Sequence, residues 1–167
     1  SFGFDSAVTI ATDAIDRLHS TASSHQRVMV IEVMGHKAGW IALYSGMAGG
    51  GDVILIPEIP YNIRNIGNTI IERLKKGKPY SIVVVAEGIP TIDGKRAAEY
   101  IAQEIEYETG FETRETVLGY IQRGGSPTPY DRNLATRMGG YATELIANGH
   151  FGIKSLLKSH RLQAQTP

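Results

Sequence analysis

The sequence predicts an α/β fold, a parallel sheet in a three-layer αβα sandwich, on three observations. Strand-length apolar runs alternate with amphipathic helical stripes along most of the chain. The runs Val28 to Val33 and Ser81 to Ala86 are apolar at almost every position, so neither face suits water. Glycine or proline punctuates the joins, at Gly49-Gly50-Gly51, Pro57, Gly77, Gly110 and Gly149.

The elements follow in order. After a cap at Asp5 or Ser6, Val8, Ala11, Ile15 and Leu18 recur at helical spacing, and the hydroxyl-rich Ser20 to Ser24 is expected to close the helix. Val28 to Val33 is the first strand. Ala38 to Met47 reads as a helix, and Val53 to Ile56 as a second strand halted by Pro57. Ile66, Ile70, Ile71 and Leu74 form a helical stripe ending at Gly77, before the third strand, Ser81 to Ala86. Lys95 to Thr109 is a charged helix with Ala98, Ile101 and Ile105 on its apolar face. A fourth strand, expected to be buried, runs to Leu118, and a last helix from Pro129 carries Leu134, Met138, Tyr141 and Leu145. Repeats and low-complexity segments are absent.

Composition narrows the function classes. The 167 residues carry 17 basic and 17 acidic side chains and no cysteine. A zero balance gives no field favouring nucleic acid or an anionic membrane, and the missing thiols exclude a disulfide framework and thiolate metal sites. The apolar runs are too short to span a bilayer, so the expectation is a cytoplasmic protein with no membrane and no nucleic-acid partner. The chain opens at Ser1-Phe2-Gly3-Phe4 without an initiator methionine, and is expected to be a piece of something longer.

In parallel sheets ligands sit outside the carboxyl ends of the strands. Those ends deliver Met34-Gly35-His36-Lys37, Glu58, Glu87-Gly88 and Tyr120 to Gly125. A glycine between strand and helix is expected to offer bare backbone amides to an anion or polyol. Glu87 is placed to accept hydrogen bonds from sugar hydroxyls. Arg114 and Arg123, nine positions apart around a glycine pair, form a candidate phosphate clamp, because a guanidinium matches phosphate oxygens in pairs. The competing reading pairs these arginines with Glu112 and Glu115. Lys75, Lys76 and Lys78 read more simply as cations at a helix C-terminus. No HExxH spacing or GxSxG elbow occurs, and the dinucleotide layout that Gly35, Gly39 and Glu58 imitate lacks the required glycine spacing.

Four motifs, Asp13 to Leu18, SSHQR at Ser23 to Arg27, IEVMG at Ile31 to Gly35, and the long ETRETVLGYIQRGGSP stretch from Glu112, resemble the carboxyl-terminal half of the 6-phosphofructokinase family from Phe2 to Gly152. The resemblance implies a phosphofructokinase-like but incomplete fold: a sugar-phosphate-binding domain over 1–118, a substrate loop and returning helix over 119–152, and a divergent tail over 153–167. It implies that Met34, Gly35 and Glu87 hold fructose 6-phosphate, and that Arg114, Tyr120 and Arg123 surround its phosphate. Arg27 and Arg114 match arginines that cross a subunit interface, which implies a homodimer or homotetramer. His36 stands where the family commonly has arginine, and is a candidate phosphoryl-group contact of shorter reach.

Asp52, Lys76 and Lys78 match a nucleotide-effector site, but His19 and Pro79 replace its basic residues, so effector control is not carried over. The family's base, its magnesium-binding acid and its ATP loops match nothing in these residues. Magnesium and ATP, or pyrophosphate, are therefore expected only in the full-length enzyme. The chain alone is expected to bind no cofactor or metal and to be inactive. The alternatives are a pyrophosphate-dependent enzyme and a catalytically silent sugar-phosphate-binding module.

Overall fold

The computed structural model describes residues 3–92, 94–158 and 161–165; Ser1 and Phe2 at the opening, and Ser159, His160, Thr166 and Pro167 of the expected tail, lie outside the described residues. The chain divides into two compact units, Ser1–Gly125 and Ser126–Pro167.

The first unit holds α1 (Phe4–His25), β1 (Val28–Val33), α2 (Trp40–Ala48), β2 (Val53–Leu55), α3 (Ile63–Lys75), β3 (Ser81–Ala86), α4 (Ala97–Thr109), β4 (Thr113–Val117) and a 3-10 turn, Gly119–Arg123. The four strands form one parallel sheet in the order β2-β3-β1-β4. α1 and α2 pack together against one face of the central strands, and α3 and α4 pair on the other side, where α4 seats against β1, β3 and β4. This is the three-layer sandwich the alternating pattern predicts.

The two central strands, β1 and β3, are buried along their whole length, as their β-branched runs require. Ile15, Ile31, Ile82, Ile101 and Ile105 fill the core between the layers. A charged side chain is buried against it: Glu32 is 7% exposed and accepts the Ala98 amide at 2.8 Å, satisfying an otherwise orphan donor in the first turn of α4.

Two local expectations are corrected. The first helix does not close at Ser20 to Ser24. It runs to His25, because hydroxyls bond back to carbonyls inside the helix, as Ser24 does to Thr21, and because Ala22 is buried. The stop comes from Gln26 in the left-handed region, with its amide bonded to Ser23 and the Arg27 amide to Ala22, a Schellman-type end. The fourth strand is not buried either. Among the described residues it is an edge strand paired only with β1, and Arg114 and Glu115 are exposed.

The second unit holds α5 (Pro129–Ala147), capped by Thr128 through the Asp131 amide at 3.3 Å, and an antiparallel hairpin of β5 (Lys154–Lys158) and β6 (Arg161–Gln165). Of the α5 residues only Asp131 is buried, and the helical stripe of Leu134, Met138, Tyr141 and Leu145 is half-buried. The hairpin gives structure to the tail, for which the sequence offered no element. Among the described residues no helix is long and apolar enough to cross a membrane.

Candidate functional site

Sheet order singles out one crevice. After β1 the chain leaves through α2 toward β2, and after β3 it leaves through α4 toward β4, in the opposite direction across the sheet. The carboxyl ends of β1 and β3 are therefore the topological switch point. Their register ends on Val33 beside Ala86, so Met34 and Glu87 emerge side by side.

A cavity of about 340 Å³ opens there, lined by Met34, Gly35, His36, Glu87 and Arg123 together with Gln122 and the first turn of α1. The guanidinium of Arg123 lies 5.4 Å from the centre of the Tyr120 ring, a cation–π contact on an exposed turn. Tyr120 itself is exposed.

The amides of the β1–α2 turn are not bare, contrary to expectation. Glu87 Oε1 accepts from Gly35 N at 3.0 Å and His36 N at 2.6 Å, and Gln122 Oε1 accepts from Met34 N at 2.7 Å. Two side chains from distant elements thus hold three consecutive amides. The Gly35 and His36 amides both meet Oε1, and no hydrogen bond reaches Oε2 of Glu87 from the described residues. His36 sits at φ 56°, a left-handed conformation that costs a side chain of this kind energy and that these bonds sustain. Close approach explains the glycines: a Cβ on Gly35 would run into the Ala38 carbonyl oxygen, and one on Gly88 into that of His36. Glu58, the carboxylate of the second strand end, accepts the Gly39 amide through both oxygens at 2.9 and 3.1 Å and so caps α2.

The two arginines of the expected clamp do not share a strand end. Arg114 lies beside Met29 near the start of β4, whereas Arg123 follows that strand's far end. Three residue steps of strand alone separate these levels by about 10 Å. Arg114 instead binds Glu112 at 2.7 Å, and Arg27 binds the same carboxylate at 3.1 Å, both at the amino edge of the sheet. The pairing of Arg114 with Glu112 is the bland reading raised from sequence.

The matched effector residues also gather at the amino ends. Asp52 bonds Arg73 at 2.6 Å and the Ile82 amide at 2.9 Å. His19 bridges Tyr80 Oη at 3.2 Å and the Gly49 carbonyl at 2.7 Å. Lys76 and Lys78 are exposed, with no ion pair among the described residues. Among the described residues no group of three or more His, Asp or Glu side chains is arranged to hold a metal ion.

Sequence reasoning missed Gln122 and the contribution of Gly3, Phe4 and Ala7 from α1. A glutamine between two loop residues has no periodicity that announces burial, and nothing local in α1 tells which strand end its first turn will reach.

The phosphofructokinase family model matches residues 1–146. ATP-dependent 6-phosphofructokinase 3 of Bacteroides thetaiotaomicron is 89% identical over 158 residues, covering 95% of this chain and 47% of that protein. Pyrophosphate–fructose 6-phosphate 1-phosphotransferase of Amycolatopsis mediterranei is 48% identical over 175 residues, covering 95% of this chain and 51% of that protein. A solved phosphofructokinase from Saccharomyces cerevisiae has a TM-score of 0.82 at 31% identity, covering 96% of this chain and 22% of that one. The chain spans about half the length of the curated relatives it matches. With the parallel sheet, the crevice at its switch point and these matches in agreement, the chain belongs to the phosphofructokinase family.

Proposed function

We propose that this chain is the sugar-phosphate-binding half of a 6-phosphofructokinase, which transfers a phosphoryl group to fructose 6-phosphate to give fructose 1,6-bisphosphate in glycolysis. The observation that carries the reading is the shared cavity: a carboxylate, Glu87, and a guanidinium, Arg123, brought by separate elements to one hollow. The volume falls in the range of small-ligand pockets. A phosphohexose needs both groups, a cation for the ester phosphate and an acceptor for hydroxyls.

In this reading Arg123 and Tyr120 take the phosphate, Glu87 Oε2 takes a ring hydroxyl, and Met34 and Gly35 bound the sugar through their backbone. His36 faces the transferred group. Arg27 and Arg114, at the other end of the sheet, act toward the site of a second copy in a homo-oligomer. ATP with magnesium, bound by the remainder of a longer chain, supplies the phosphoryl group. Pyrophosphate is the second reading for the donor, favoured by the Amycolatopsis relative, whose name specifies it. The base that removes the hydroxyl proton also belongs to that remainder, so the chain alone does not turn over.

Titration calorimetry with fructose 6-phosphate on the wild-type chain and on Arg123→Ala tests the site. Loss of a charge-assisted contact corresponds to a fall in affinity of roughly tenfold or more. Equal heats from both proteins would refute the assignment.

A further inference from the structure

Among the described residues of the first unit, Gln122 is the one large polar side chain that is fully buried, at 1% exposure, and it stands in the wall of the cavity rather than in the sheet. Its Oε1 accepts the Met34 amide at 2.7 Å. That bond fixes the orientation of the group, since a backbone N–H must meet the oxygen and not the nitrogen. Its Nε2 is then buried without a hydrogen-bond partner among the described residues. A buried amide with an unsatisfied donor is costly, and a methionine or leucine would fill similar space without that cost. Core filling therefore does not explain the residue. Its bond to Met34 does.

That bond joins two segments that carry the two sides of the cavity. Gln122 precedes Arg123 in the 3-10 turn, and Met34 precedes the Gly35 and His36 amides held by Glu87. The chain from Arg123 through Gln122, Met34, Gly35 and Glu87 is continuous through covalent bonds and hydrogen bonds. We propose that Gln122 is a positioning residue, setting the distance between Arg123 and Glu87 by clamping the 3-10 turn to the β1–α2 turn. The part concerning ligand affinity rests on the sugar-phosphate reading. The clamp itself does not.

The test uses Gln122→Met, which removes the acceptor at similar volume, and Gln122→Glu, which keeps it. In the free protein, amide exchange followed by NMR is expected to accelerate about tenfold or more at Met34 in Gln122→Met, with shifted Gly35 and His36 amide resonances, and to stay near wild type in Gln122→Glu. Fructose 6-phosphate affinity is expected to fall roughly tenfold in Gln122→Met at an unchanged far-UV spectrum. Unchanged Met34 exchange, or Gly35 and His36 resonances that do not move, would overturn the clamp. Altered exchange with full affinity would overturn its role in positioning. Wild-type protein that gives no heat with the sugar phosphate would instead refute the proposed function, and the exchange data would still decide the clamp. If Gln122→Met does not fold, Gln122→Glu must retain Met34 protection, and its loss there is the refuting result.

Discussion

Gly88→Ala isolates the packing of the crevice from backbone preference. Gly88 does not have a positive φ, so alanine brings no conformational penalty there. The cost is steric: the new methyl would overlap the His36 carbonyl oxygen and lie 3.2 Å from both the His36 carbonyl carbon and Lys37 Cα. All three are backbone atoms, and the turn they belong to cannot swing away freely while Glu87 holds the Gly35 and His36 amides. Overpacking of this kind costs about 1–3 kcal/mol, and rigid neighbours favour the upper part of that range. With a urea slope of about 2 kcal/mol/M, the midpoint should fall by roughly 1–1.5 M with no change in slope. Equilibrium urea unfolding followed by tryptophan fluorescence gives the value, since Trp40 starts α2 directly beyond this turn. A midpoint equal to wild type would show that the turn yields without cost, and the account of a tightly held β1–α2 junction would be wrong.

Gly139→Ala is the counterpart in the second unit. Gly139 lies inside α5 with nothing within 4 Å of an added Cβ, so helix propensity alone should act, raising helix stability by about 0.5–1 kcal/mol. Thermal melting followed at 222 nm should shift upward, and a downward shift would contradict the open surroundings. Burial first, and then Tyr100 and Glu104, raise the Tyr61 phenol above its ordinary value of 10.0. A raised folded-state value means that the contribution is fully present below pH 10 and is lost as pH rises through the folded value. Phenolate absorbance should show a late ionisation that Tyr61→Phe removes, and an unchanged titration curve would refute the assignment.

The elements legible in the sequence were those whose residues carry one message. Ser81 to Ala86 is strand by composition, burial and punctuation together, and its bounds agree with the structure. Pro129 and Gly149 framed α5 to within a residue or two at its C-terminal end. The failures have physical causes. Ser20 to Ser24 reads as turn chemistry, yet a serine hydroxyl can spend itself inside a helix when a buried neighbour such as Ala22 holds the turn in place. Arg114 and Arg123 look paired because nine positions seem short, but an intervening extended strand is long in space. Glu87 and Arg123 met in one cavity because strand ends converge at a switch point, which is a rule of topology and can be applied before coordinates exist. Which carboxylate oxygen stays open cannot be inferred that way. It depends on amides contributed by a turn more than fifty positions distant.

The fastening of Met34, Gly35 and His36 has a consequence for how the chain can be edited. Surface connections usually tolerate added residues. This one spans a junction whose amides are already spoken for from two remote parts of the sequence, so lengthening it by even one residue would displace donors from both acceptors at once. By contrast, the bend at Gly77 has open space around it. A tag or reporter grafted into this protein belongs at that bend, and the short stretch after β1 should be left at its native length.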